Sequence, residues 1–155
     1  MTIGFTGVAT SKAPYSGHSE KGFTIAASGA SWYGSSYGTP GPAVDFDTVA
    51  NSSTTGQITV TGDGRPFVFL TMNVYSSVTT IPWSITGKRN GAVVYHSSGT
   101  EWFTAGDFTT VGNSSSSTAI DRLEITITNT LSSSVCLSNP SCTNPVGIDS
   151  IVVSY

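Results

Sequence analysis

Ser84-Ile85-Thr86-Gly87-Lys88-Arg89-Asn90-Gly91-Ala92-Val93-Val94-Tyr95 is the stretch whose reading decides the fold. Asn-Gly accepts positive φ at both central positions of a type I′ turn, the turn whose twist suits two antiparallel strands. Ile81, Trp83 and Ile85 alternate with smaller or polar residues before the turn, so Trp83 reads as core. The segment is therefore a β-hairpin, and what surrounds it repeats the pattern.

Short alternating runs between turn signals predict strands over Gly22 to Ala27, Ala43 to Phe46, Gly56 to Thr61, Phe67 to Tyr75, Ile81 to Lys88, Ala92 to Ser97, Thr100 to Phe103, Phe108 to Val111, Ile120 to Asn129 and Gly147 to Tyr155. In Ile120 to Asn129, Leu123, Ile125 and Ile127 alternate with Arg122, Glu124, Thr126 and Thr128, which gives one buried and one solvated face. In Phe67 to Tyr75, alternation puts Val68, Leu70, Met72 and Val74 on one face and Phe67, Phe69, Asn73 and Tyr75 on the other. That strand is central. Helical periodicity is absent, and the Ser, Thr and Gly that fill the chain disfavour helix. The fold class is all-β, an antiparallel β-sandwich, and 155 residues suit a single domain over 1–155.

Composition narrows the function classes. Net charge is −3, and the six cations Lys12, Lys21, Arg65, Lys88, Arg89 and Arg122 are dispersed in sequence, so no basic stripe offers itself to nucleic acid. No apolar run approaches the length of a membrane-spanning helix. Met1-Thr2-Ile3-Gly4 lacks a charged segment followed by an apolar one, and any export signal is expected to have been removed. Cys136 and Cys142 stand six apart with no second pair and no flanking histidine, a poor zinc set. A local disulfide is expected instead, which places the chain in an oxidising compartment, secreted or at a cell surface.

Catalytic signatures are sparse. His18 and His96 are the only histidines, and no Gly-x-Ser-x-Gly elbow follows a strand. Most of the nine carboxylates stand at turns or strand ends, where Asp is an ordinary turn former. The aromatics say more. Ala30 to Pro42 reads as a loop carrying Trp32, Tyr33 and Tyr37, and Trp102 lies at a predicted strand end. Such rings either stack on the C–H faces of a sugar or pack over the end of the sandwich. Oxygen-rich, soft-ligand-poor composition suits calcium, with Asp149 the sharpest single candidate because it opens the last predicted strand; a turn cap is the alternative. Asp45 and Asp47, alternating around Phe46, make a second acidic point on one face.

Gly147-Ile148-Asp149-Ser150-Ile151-Val152-Val153, with Ile58-Thr59-Val60-Thr61-Gly62-Asp63-Gly64-Arg65-Pro66-Phe67-Val68-Phe69-Leu70, resembles bacterial secreted jelly-roll domains of the galactose-binding-like kind, which include many carbohydrate-binding modules. The resemblance implies a jelly-roll winding and a structural calcium held by Asp149 with Glu20 as N-terminal partner. It also implies a polysaccharide or oligosaccharide ligand, taken either by loops carrying Trp32, Tyr33, Tyr37 and Trp102 or by a concave face bearing Phe69, Asn73 and Tyr75. Such modules are tethered to other domains of a larger protein. The expected function is a non-catalytic carbohydrate-binding module. A structural or adhesive surface module and a small polysaccharide lyase or hydrolase are the competing readings.

Overall fold

The computed structural model describes residues 1–36, 41–104, 107–115, 117–136, 139 and 141–155. These form thirteen strands: β1 Thr2–Ile3, β2 Ser11–Pro14, β3 Gly17–Glu20, β4 Phe23–Ser28, β5 Tyr33–Ser35, β6 Ala43–Val49, β7 Ser52–Gly62, β8 Val68–Ser76, β9 Ile81–Arg89, β10 Ala92–Glu101, β11 Thr109–Gly112, β12 Arg122–Leu131 and β13 Thr143–Ser154. The first sheet has the order β11-β8-β13-β6-β5-β2, with β1 also on β13; the second runs β10-β9-β12-β7-β4-β3. All pairings are antiparallel. The chain changes sheet at each step from β6 to β9 and again from β10 to β13. One hydrophobic cluster lies between the sheets.

The longest ladder joins β12 to β7, ten residues in unbroken register from Arg122↔Thr61 to Leu131↔Ser52. Leu123, Ile125 and Ile127 face the core with no solvent exposure, and burial of each contributes about 1.5–3 kcal/mol. Asn90 and Gly91 turn the β9–β10 hairpin with φ of 50° and 79°, as the sequence implies. Lys21 and Gly22 repeat those angles between β3 and β4, a hairpin with no Asn to announce it.

Two bulges change the faces that alternation predicts. Between β8 and β13 the partners step from Phe69↔Val153 to Thr71↔Val152, two residues against one. The extra residue on β8 reverses the side-chain alternation. Phe67 and Phe69 therefore join Met72 and Val74 in the core, while Val68 and Leu70 are only half-buried. Further along, Ile148↔Val74 is followed by Ile151↔Met72, so Asp149 and Ser150 share one bulge on β13. Because β13 starts at Thr143, Asp149 lies within the strand and not at its opening. The predicted runs Ala92 to Ser97 and Thr100 to Phe103 are one strand to Glu101. Part of the supposed aromatic loop is strand β5.

One end of the sandwich is fixed by a buried polar network. The Asn144 amide donates to Asn129 Oδ1 at 2.9 Å, Ser76 Oγ at 3.2 Å and Thr79 Oγ1 at 2.8 Å, and Asn144 Oδ1 accepts from the Val78 N–H. Asn129 returns a bond to the Asn144 carbonyl at 2.7 Å. A satisfied network of this kind rigidifies the elements it joins, here β8, β12, β13 and the β8–β9 turn.

Candidate functional site

A single cross-strand row crosses the outer face of the first sheet: Tyr33 on β5, Asp45 on β6, Gly147 on β13 and Tyr75 on β8, each in register with the next. At about 4.8 Å between strands, the row is about 14 Å long. Gly147 is the notch in it. Asp45 Oδ1 lies where a side chain at residue 147 would begin, so only glycine leaves room for the carboxylate. Asp45 is 2% exposed. Burial, reinforced by the Asp47 charge, pushes its carboxyl up to about 6 against a bond from the Ser35 hydroxyl and the charge of Lys12. Its Oδ1 has no hydrogen-bond partner among the described residues.

Asp47, next on the same face, accepts from the Tyr33 hydroxyl at 2.8 Å and from Lys12 at 3.3 Å. The Lys12 ammonium also stands 4.9 Å above the Tyr33 ring. Burial and the bond to Asp47 raise the Tyr33 phenol, which stays protonated. Asp149 reaches the same outer face from its bulge. Burial raises its carboxyl, opposed by bonds from Ser150 and Asn73, and its Oδ2 is also without a partner among the described residues. Asn73 in turn accepts from Thr110 at 2.8 Å.

At its β5 end the row opens into a groove of about 530 Å³ beside β2, walled by Lys12, Pro14, Tyr15, Ala30, Trp32 and Tyr33. That volume is in the range of small-ligand sites. Trp32 and Tyr33, expected as ligand contacts, do come together here, but Trp32 does not present a face to solvent. It is 3% exposed, its ring meets Phe46 edge-on at 4.8 Å, and its indole N–H donates to the Ser28 carbonyl at 2.9 Å. The slot exists because Gly56 has no side chain; a Cβ there would stand 2.5 Å from the Trp32 ring. Tyr37 lies outside the described residues.

Trp102 is 77% exposed, and Phe103 beside it 49%. Their loop is pinned by Thr104, whose N–H and hydroxyl both donate to the Ser76 carbonyl at the end of β8. Phe108 then packs on Tyr75 at 5.8 Å, so this loop meets the far end of the row. Val78, two residues beyond Ser76 in the β8–β9 turn, is exposed as well. Trp83 is half-buried against the core, with its N–H on Glu101 at 3.2 Å.

Cys136 and Cys142 form the expected disulfide, closing the loop between β12 and β13. Asp149 and Glu20 are placed in different layers. Glu20 pairs with Phe23 at the edge of the second sheet, on the core side and 8% exposed. Its two oxygens already accept from five donors, whereas calcium needs six to eight oxygen ligands of its own. Among the described residues no group of three or more His, Cys, Asp or Glu is placed to hold a metal ion.

No protein-family model matches this chain. No curated protein matches it by sequence. Solved structures do match in fold. A family 29 carbohydrate binding module from Piromyces equi aligns over 90% of this chain and 85% of its own, with 12% identity and a TM-score of 0.50. The module TmCBM61, solved in complex with beta-1,4-galactotriose, aligns over 86% and 88% with 10% identity and a TM-score of 0.47. The enzymatically active domain of bacteriophage CBA120 tailspike protein 4 aligns over 86% of this chain but 19% of its own, with 13% identity and a TM-score of 0.47. At 12% identity the likeness to the family 29 module is one of fold, a two-sheet antiparallel sandwich.

Proposed function

We propose that this domain is a non-catalytic carbohydrate-binding module whose ligand enters the groove at Tyr33. The observation that carries the reading is the composition of that groove. The Tyr33 ring offers an apolar face for sugar C–H groups, while Lys12, Asp47 and the Tyr33 hydroxyl supply donors and acceptors beside it. The exposed Trp102 is a second stacking surface beyond the opposite end of the row. The shared fold with carbohydrate binding modules supports this reading. Jelly-roll winding, secretion and tethering to other domains of a larger protein belong to the same proposal.

Hydrolysis and elimination fit the geometry less well. Asp45 and Asp149 are each 2% exposed, too enclosed to reach a glycosidic oxygen. The Tyr15 hydroxyl hydrogen-bonds His18 Nδ1 at 2.9 Å and His18 Nε2 bonds Glu20 at 3.3 Å, the connectivity of an activated nucleophile. Yet burial and the Glu20 charge raise the Tyr15 phenol, the opposite of what a base or nucleophile needs.

Affinity electrophoresis against a panel of soluble mannans, galactans, xylans and glucans tests the proposal. At least one polysaccharide should retard the wild type, and Tyr33→Ala and Lys12→Ala should abolish the retardation. Unretarded migration on the whole panel, or retardation indifferent to both substitutions, refutes it. A second reading, a module that docks on a neighbouring protein domain, is favoured by the exposed Trp102, Phe103 and Val78 around Ser76. It predicts that Trp102→Ser with Phe103→Ser leaves every glycan contact intact while weakening association with the parent protein.

A further inference from the structure

We infer that Glu20 is a metal-free latch for the N-terminal strap, with the chain's own donors in the positions where the family resemblance puts calcium. The strap begins with β1 on β13, where Thr2 and Ile3 pair with Val152 and Ile151. It then leaves the sheet. Phe5 takes a φ of 54° and is fully buried against Tyr15 and His18, an arrangement that backbone preference alone does not hold in place. Glu20 holds it. Oε1 accepts from the Gly4 N–H at 3.2 Å, the Thr6 hydroxyl at 3.3 Å and the Lys21 ammonium at 3.1 Å. Oε2 accepts from the Thr6 N–H at 3.1 Å and faces His18 Nε2 at 3.3 Å.

These donors argue against a cation. Two amide hydrogens and one ammonium point at the oxygens from the sides a metal would have to occupy. Lys21 is itself tied down by a 2.6 Å bond to the Thr2 carbonyl, an oxygen that a calcium ion would otherwise recruit from the strap. Burial alone would raise the Glu20 carboxyl, but the bonds from Gly4, Lys21, His18 and Thr6 outweigh it and hold the group down at about 2. The carboxylate is thus charged and saturated without a metal.

The latch also reaches the groove. Beyond Thr6 the strap turns at Gly7 and lays Val8 and Ala9 on Gly34, next to Tyr33; a Cβ at residue 34 would collide with the Ala9 carbonyl. From the other side, His18 connects Glu20 to Tyr15, which lines the groove. Glu20 is therefore a positioning residue for the groove walls, a consequence that rests on the carbohydrate-binding reading.

Amide hydrogen exchange and thermal melts test the latch. In Glu20→Gln the Gly4 and Thr6 amides should lose their protection while Ile125 on β12 keeps its own, since an amide side chain must turn a donor toward at least one of the present donors. Melting of the wild type should be unchanged by chelator or by millimolar calcium. A calcium-dependent rise in the wild-type melting temperature that Glu20→Gln removes overturns the inference. So does unaltered strap protection in the variant. If Glu20→Gln does not fold, Lys21→Met and His18→Leu each remove one donor and should loosen the strap in part, and the calcium melt needs no variant. If the wild type binds no glycan, the groove reading fails while exchange and melts still decide the latch.

Discussion

Replacing Asp45 by Asn should stabilise this protein at neutral pH and leave it nearly unchanged in acid. The carboxyl is raised from 3.8 to about 6, chiefly by burial, so the folded chain holds a proton that the unfolded chain has already released. Stability from this group is therefore greatest below pH 3.8, falls as pH rises toward 6 and is flat beyond. The rise corresponds to about 3 kcal/mol above pH 6. Asn removes the titration and fits the same space beside Gly147. Spread over a domain of this size, about 3 kcal/mol is a gain of about 6–12 °C in melting temperature. Urea or thermal unfolding of both proteins from pH 4 to pH 8 measures it. Glu20 and Glu124, whose carboxyls are lowered, and Asp149, whose carboxyl is raised, are common to both proteins and cancel in the comparison. A difference between the proteins that does not grow from pH 4 to pH 7, or a less stable variant at pH 8, refutes the account of Asp45 as a carboxyl whose burial outweighs the bond from Ser35.

Gly147→Ala puts a methyl group against Asp45 Oδ1 and should cost about 1–3 kcal/mol by overpacking, read as a lower urea midpoint with unchanged slope. Trp32→Ala empties a core site and should cost about 3–5 kcal/mol, so its glycan binding, if lost, is lost with the fold; Tyr33→Ala should lose binding while melting within a few degrees of the wild type. Opening the disulfide with Cys136→Ser and Cys142→Ser together removes a cross-link of sequence separation 6 and should cost about 2 kcal/mol by chain entropy, seen as a lower melting temperature and a lower urea midpoint.

The long strands were legible because their period is undisturbed. In β12 each second residue from Leu123 to Ile127 is fully buried, and Asn90-Gly91 names its own turn. Where the period breaks, reading by alternation misplaces whole faces. The β8 bulge puts Phe69 inside and Leu70 half outside, and nothing in Phe67 to Tyr75 marks the extra residue. The short strands β1, β2, β3 and β5 hold two to four residues each, too few to display a period, and β1 relies on a partner at the other end of the sequence. At the candidate site the sequence pointed to Trp32 and Tyr33, which do share a groove, and to Asp45 and Asp47, which do share a face. Two features were hidden. Burial of Trp32 depends on a glycine 24 residues later, and the role of Glu20 depends on backbone amides that every residue but proline carries. Gly147 beside an acidic strand position was the available sign that a carboxylate needed room there.

The placing of β13 governs how the chain can assemble. It runs between β8 on one side and β6 and β1 on the other, so the second residue meets the 152nd. During synthesis the first strand has no neighbour until the last has left the ribosome, and the two halves of the first sheet wait with unpaired edges facing each other. Closure of such long-range contacts is slow and, until it happens, open to pairing with other chains. Fragments ending before Thr143 should thus be prone to aggregate, not merely less stable, because the twelve-residue β13 is the strand that joins the two halves of the first sheet.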